Sequence, residues 1–239
     1  MKTINSEINN NALRITLTAN AGVILQSSER CVLIDALHNG KTLEFSSVSD
    51  AEFGQIREMF RERHPDLVLV THRHPDHCSD EPLRRFAEMW PDTVFLFPEH
   101  FPEERLHSRL KDILITSMTL PHDGKGFEDV DQRGYCITLG GKTILHAGDA
   151  ALSSPEKILT LTEGRKIDAA VMNFPWITLP AGRAFLEEKL KPDHLMIVHL
   201  PFEEKDVFGY RKAAYRAVEK TDLPDVRIMD HPMQTEEIV

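Results

Sequence analysis

Three histidines and an aspartate fall within six residues of the stretch THRHPDHCSD: His72, His74, Asp76 and His77. Neutral imidazole and carboxylate are good ligands for zinc and similar divalent ions. In an extended segment, residues two apart point the same way, so His72 and His74 can share one ion. Pro75 then turns the chain, and Asp76 and His77 are free to point toward a second ion. A single ion rarely takes four ligands from six consecutive residues, because the backbone cannot wrap it. Two neighbouring ions fit the spacing better. The bland alternative is a solvated turn that is rich in histidine by accident. At this chain's His and Asp frequencies that pattern arises on the order of once in several hundred chains.

Two ions need further ligands. TLPHDGKG offers His122, HAGDA offers Asp149 or His146, and IVHLP offers His199. A lone histidine after a strand is more often a surface or core residue than a ligand, so order and context must decide. His146 alternates with the apolar Ile144, which makes packing or a local hydrogen bond its expected role. His38, His100, His107, His194 and His231 have no partner pattern and read as structural or surface residues.

These residues need elements to position them. LRITLT, AGVILQ and RCVLIDAL are short β-rich runs separated by turn-prone residues. Phe53, Ile56, Met59 and Phe60 fall at helical spacing, in a helix expected to end near His64-Pro65. DLVLVTH and TVFLF read as strands buried on both faces. Leu83, Phe86, Ala87 and Trp90 mark a helix with Ser79 or Asp80 as N-cap. GYCITLGGKTILHAGD reads as a hairpin turning at Gly140-Gly141. A helix over about residues 155–163 follows, then the strand IDAAVMNF, the helix AGRAFLEEKL and the strand HLMIVHL. Val207, Tyr210, Ala214 and Val218 mark a last helix. LVLVTH, TILHAGD and MIVHL each end in a metal-ligand residue type, which suggests one convergent cluster at strand ends. Buried strands with helices between them require a layered α/β or α+β sandwich.

The whole chain sets bounds on partners. It has 239 residues, 41% of them hydrophobic, with no repeat and no linker, so a single domain over 1–239 is expected. Its formal net charge of -10 disfavours nucleic-acid polymers and anionic membrane surfaces. The start, MKTINSEINNNALRI, has no signal-peptide apolar region, and no apolar run is long enough to span a bilayer. Three scattered cysteines, Cys31, Cys78 and Cys136, read as reduced thiols of a cytoplasmic protein. A homo-oligomer is compatible with all of this.

From about residue 20 to 200, the motifs and their order resemble the metallo-β-lactamase superfamily of metal-dependent hydrolases. The H-x-H-x-D-H motif stands as His72, His74, Asp76 and His77. Later family positions are similar to His122, Gly148-Asp149 and His199, and Leu33-Ile34-Asp35 is similar to an early family strand. The resemblance implies an α+β fold, a four-layer αββα sandwich of two mixed β-sheets. It implies that His72, His74 and His122 hold one metal, that Asp76, His77 and His199 hold the other, and that Asp149 bridges them. Zinc is the expected ion for both sites, with Mn2+ and Fe2+ as alternatives. Length and hairpin also look like the branch of small hydrolases that includes sugar-phosphate lactonases. Ala150 after Asp149 and Cys78 after the motif depart from many relatives, which leaves the substrate class open.

On this reading a metal-bridging hydroxide attacks a carbonyl or phosphoryl centre of a small lactone, ester or phosphoester. Asp76 is the candidate catalytic residue that orients it and moves its proton. Asp35 is expected to support a ligand histidine. Phe174 and Trp176 are candidates to line a substrate pocket or, equally, to cover the core at a strand end. Lys125 and Arg183 are candidates to meet an anionic substrate, although such cations are more often solvated surface charges. Two rivals on the same fold are a mononuclear iron dioxygenase using His72, His122 and Asp149, and a phosphodiesterase for small phosphodiesters. A binding protein without activity would typically have lost ligands, whereas this chain keeps the full set.

Overall fold

A computed structural model describes residues 12–41, 45–201 and 203–239. The polar N-terminal stretch, residues 1–11, lies outside the described residues. Aliphatic and β-branched runs such as CVLI and LVL form strands because such side chains fit a pleated, buried surface. Among the described residues these strands build two mixed sheets.

The first sheet contains β1 (Leu13–Ala19), β2 (Gly22–Gln26), β3 (Cys31–Ile34), β4 (Leu67–Leu69) and β5 (Val94–Leu96). The second runs from β6 (Arg105–Leu110) and β7 (Ile113–Thr119) through the hairpin of β8 (Arg133–Leu139) and β9 (Lys142–His146). It then adds β10 (Ala169–Asn173), β11 (His194–Val198) and β12 (Val226–Ile228). The last strand, β13 (Thr235–Ile238), returns to the first sheet and pairs antiparallel with β1. The sheet orders are β13-β1-β2-β3-β4-β5 and β12-β11-β10-β9-β8-β7-β6. In the first, β3, β4 and β5 are parallel; in the second, β9 to β12 are.

The sheets face each other across one apolar core, to which Val23, Ile34 and Leu69 come from the first and Ile137, Val171 and Val198 from the second. Helices α1 (Asp50–Met59) and α2 (Asp80–Met89) cover the outer face of the first sheet with Phe53, Ile56 and Phe86. The outer face of the second is covered by α3 (Pro155–Thr162), α4 (Pro175–Thr178), α5 (Pro180–Phe185) and α6 (Tyr210–Val218). The result is the expected four-layer αββα sandwich.

Several local expectations change. Helix α1 starts on a capping box between Ser49 and Glu52 and ends at Met59, before the His64-Pro65 break. Ser79 does sit at the N-cap of α2, but its hydroxyl accepts from the backbone N–H groups of Asn39 and Gly40 instead of capping the helix. The run TVFLF is not buried on both faces: β5 is an edge strand with Val94 exposed. Val207 lies outside α6 and is 80% exposed. The chain also forms a β6–β7 hairpin, in which β6 alternates exposed and half-buried residues while β7 is largely buried.

Candidate metal centre and active site

Both sheets direct the carboxyl ends of their parallel strands to one side, the usual location of sites in open α/β sheets. Asp35 follows β3, and His72 follows β4. His122 follows β7, Asp149 follows β9, Asn173 ends β10 and His199 follows β11. Local turns then aim the side chains. After Pro75 the chain closes a tight turn in which the His77 and Cys78 N–H groups both donate to the His74 carbonyl. Gly148 has a left-handed φ of 57°, and a Cβ there would sit 3.2 Å from Thr71 Cβ. This is the conformation and the close approach that glycine permits. The 121–123 loop is pinned to the 149–151 segment: Asp123 N–H donates to the Asp149 carbonyl at 2.7 Å, and Ala151 N–H to the Pro121 carbonyl at 2.8 Å. This pairing sets His122 against Asp149.

The seven candidate ligands come together. Asp149 Oδ2 lies 3.2 Å from His77 Nε2, 3.2 Å from His199 Nε2, 3.6 Å from His122 Nε2 and 4.0 Å from His72 Nε2. Asp76 Oδ2 is 3.6 Å from His199 Nε2 and 3.9 Å from His77 Nε2. His72 Nε2 is 3.1 Å from His74 Nδ1 and 3.3 Å from His122 Nε2. Three overlapping triads have ligand atoms within 4.8 Å of one another: His72, His74 and His122; Asp76, His77 and His199; and His72, His77 and Asp149. Buried His77 Nε2, His199 Nε2 and Asp149 Oδ1 have no hydrogen-bond partner. Unpartnered imidazole nitrogens and a carboxylate oxygen, converging in a buried cluster, are a donor set that fits divalent cations.

Their orientation comes from the residues behind them. Asp35 Oδ2 accepts from His77 Nδ1 at 2.9 Å, as expected of a carboxylate supporting a ligand histidine. The same carboxylate accepts from the Thr71 N–H at 2.7 Å and the Thr71 hydroxyl at 2.5 Å. Thr71 Oγ1 lies 2.9 Å from His72 Nδ1. Since the hydroxyl proton goes to Asp35, His72 Nδ1–H is the donor to Thr71, which leaves Nε2 bare toward the cluster. One carboxylate thus sets the tautomer of two histidines. His122 Nδ1 donates to the Asp123 carbonyl, so its Nε2 also faces inward.

Three positioning residues carry no clear signal in the sequence. Asn20, in the β1–β2 turn, donates from Nδ2 to Asp76 Oδ2 at 3.0 Å and to the Asp76 carbonyl at 3.2 Å. Its own carbonyl accepts from His199 N–H at 3.0 Å, and both residues have left-handed backbone. Gln132 Oε1 accepts from Asp149 N–H at 3.0 Å. The third is Thr71, which only its place beside His72 could have marked. His146 is buried, bonded to the Ala21 carbonyl at 3.1 Å and to Gly148 N–H at 3.2 Å, which is the local role expected of it.

In the metal-free protein, burial works against a charge on His199. The Asp149 carboxylate, with Asp76 behind it, outweighs burial and pushes the imidazole up to about 9. Burial also opposes the Asp149 charge, but His199 and His77 hold that carboxyl well below the usual carboxylate range. A proton on His199 must leave before an ion can bind there. Affinity for zinc is therefore expected to rise by at least about tenfold per pH unit between 6.5 and about 9, because His77, despite its burial, is also held well above its ordinary value by Asp149 and Asp35. Competition with a chelator across that range checks it; a flat profile would remove His199 from the metal set.

The description "Beta-lactamase superfamily domain" fits residues 14–169. The chain belongs to the metallo-β-lactamase superfamily. Over 164 residues, 62% of this chain and 73% of the relative, it is 28% identical to a UPF0173 metal-dependent hydrolase of Symbiobacterium thermophilum. The solved metallo-β-lactamase fold protein YhfI of Bacillus subtilis superimposes with a TM-score of 0.65 at 14% identity, covering 95% of this chain and 99% of that one. CmlA, a diiron β-hydroxylase from Streptomyces venezuelae, superimposes with a TM-score of 0.59 at 14% identity, covering 95% of this chain and 54% of that one. Both structural likenesses are likenesses of fold.

In this superfamily member a cavity of about 600 Å3 opens onto the cluster. Phe174 lines it. Trp176 does not: it is fully buried in the helix-covered core, with Nε1 donating to the Ala150 carbonyl at 3.0 Å. Arg183 donates to the Ile177 and Thr178 carbonyls, both at 2.9 Å, and Lys125 is exposed outside the lining. Neither cation faces the cavity. The reason for Arg183 is local, since it holds the carbonyls at the end of α4. All three cysteines are buried and unpaired. Among the described residues no helix is long and apolar enough to cross a membrane.

Proposed function

We propose that the protein is a binuclear metal-dependent hydrolase acting on the carbonyl or phosphoryl centre of a small molecule. The single observation that carries this reading is the pair of complete triads on either side of Asp149. His72, His74 and His122 would hold one ion, Asp76, His77 and His199 the other, and Asp149 would face both. Zinc suits this donor set, as do manganese and iron. Divalent ions bound there supply a water acidic enough to ionise near neutral pH and a Lewis acid for the scissile group.

The chain's own residues do the rest. Asp76 lines the cavity, and Asn20 fixes its Oδ2, so its carboxylate can orient the attacking water and take its proton. Asp35 keeps Nδ1 of His77 protonated, and through Thr71 that of His72, so both rings present Nε2. The aromatic lining gives the reacting group a largely apolar surround. A small substrate inside the cavity, no nucleic-acid polymer and no membrane fit the acidic charge balance.

The iron-dioxygenase reading uses His72, His122 and Asp149, which are also adjacent here. The second triad, which a mononuclear iron site would not use, favours the hydrolase. Metal analysis of protein purified without added metal separates the two, followed by a screen of chromogenic lactones, esters and phosphodiesters after loading with zinc, manganese or iron. Two metals per chain and metal-dependent hydrolysis are expected. One iron per chain with no second metal would reverse the choice. An Asp76→Ala variant is expected to lose about a hundredfold or more in kcat/KM; full activity in that variant would remove Asp76 from the mechanism.

A further inference from the structure

We infer that the cavity selects an uncharged acyl compound, an ester, lactone or amide carrying an aromatic or otherwise apolar group, and that Asn173 makes its polar contact. This rests on the hydrolase reading for the reaction, but its own support is the cavity wall. Phe45, Phe127, Phe174 and Tyr210 form most of that wall away from the cluster, together with Pro75 and Pro175. The rings of Phe174 and Tyr210 lie 4.8 Å apart, and Phe127 lies 5.1 Å from His74 and 5.0 Å from His122. These rings give an apolar group beside the cluster an aromatic surface to pack on.

Among the described lining residues there is no lysine or arginine. The cations beside lining residues in sequence are engaged or lie outside the lining: Arg73, next to His74, pairs with Glu99, and Lys125, next to Gly124, is exposed. Arg183 holds α4, and Arg211, next to Tyr210, is paired with Asp230 at 2.5 Å and with the Pro201 carbonyl at 3.3 Å. The charged side chain on the wall outside the cluster is Asp123. A phosphate or carboxylate on the part of the substrate remote from the scissile bond would therefore meet a carboxylate and no countercharge. Desolvating an unpaired anion is unfavourable enough to exclude it.

Asn173 is the polar group left over. It ends β10, beside Val198 in the parallel register, next to the segments that deliver Asp149 and His199. It is 4% exposed, lines the cavity, and its Oδ1 is buried without a partner. A buried amide left unsatisfied is destabilising unless something binds to it. An amide carries both donor and acceptor, and either end can turn toward the cavity. Its natural complement is a neutral carbonyl, amide or hydroxyl, not an ion.

The test uses zinc-loaded full-length protein and two readouts. The first is turnover of 4-nitrophenyl phenylacetate against the same ester with a para-carboxylate on its acyl ring. The second is the affinity of two uncleaved ligands, N-benzylacetamide and its para-carboxylate analogue, by NMR titration. In both, the neutral compound is expected to be favoured at least about tenfold. Asn173→Leu is expected to lower kcat/KM for the neutral ester and affinity for the neutral amide by up to about tenfold, the value of one hydrogen bond. Its metal content should be unchanged and its thermal midpoint equal or higher, because an unpaired polar group has gone. A purely structural asparagine would instead lower the midpoint. Equal or better use of the carboxylated compounds overturns the selectivity, and an Asn173→Leu variant with unaltered affinity overturns the contact. If neither ester is cleaved, ester hydrolysis is removed from the proposed function, and the ligand affinities still decide the pocket's preference.

Discussion

Replacing Asp149 with alanine is expected to abolish stable metal binding at both halves of the centre and to lower kcat/KM by roughly a thousandfold or more. One oxygen of this side chain lies within 4.0 Å of Nε2 atoms on four different histidines. Those histidines come from the β4 end, the β7 end and the β11 end, so no neighbouring group can take its place. Asp149→Asn keeps the shape and the backbone bond to Gln132 but not the charge, and is expected to lose metal almost as fully. Metal analysis after dialysis reads the effect directly. Retention of two ions by the alanine variant would show that the carboxylate is not a ligand.

Asp35→Ala is expected to be the most destabilising single change near the site. The carboxylate is buried, sits in a left-handed backbone conformation, and accepts from Thr71 N–H, the Thr71 hydroxyl and His77 Nδ1. Its removal leaves three buried donors unsatisfied at once. Loss of one partner from a buried network of this kind typically costs about 3–5 kcal/mol. That corresponds to a fall in the thermal midpoint of roughly 10 °C for a chain of this size. Metal affinity is expected to fall by about 10- to 100-fold as well, because two histidines lose the group that sets their tautomer. Thermal melts with and without chelator separate the two contributions. An unchanged midpoint in chelator would mean that Thr71 and His77 find other partners.

Much of this arrangement was legible in the residues themselves. Runs such as LVLVTH and MIVHL announce both a buried strand and the ligand type at its end, since burial and chemistry are written in adjacent residues. The hairpin over residues 133–146 was readable for a similar reason, with two apolar runs meeting at Gly140-Gly141. What escaped the reading depends on long-range placement. Asn20 looks like any turn residue until β1 and β2 fold beside the Asp76 loop. Gln132 lies 17 residues from the backbone N–H it bonds. TVFLF has the composition of a central strand, but its place at the end of the sheet order is fixed by the topology. Trp176 and Arg183 have residue types that suit a pocket, and packing turned both toward the protein instead.

The centre lies on the seam between the two sheets. Asp76 and His77 hang from the first, Asp149 and His199 from the second, and Asn20 bonds to residues of both. The nitrogens of His72 and His122 that meet there are 50 residues apart in the chain. An ion held by such groups recognises only a chain whose halves have already docked. At a hundredfold excess over its dissociation constant it would add about 2.7 kcal/mol to the unfolding free energy. Stability increments of that size change how much of a protein escapes degradation in the cell. Metal supply would then govern the lifetime of the protein as well as its turnover.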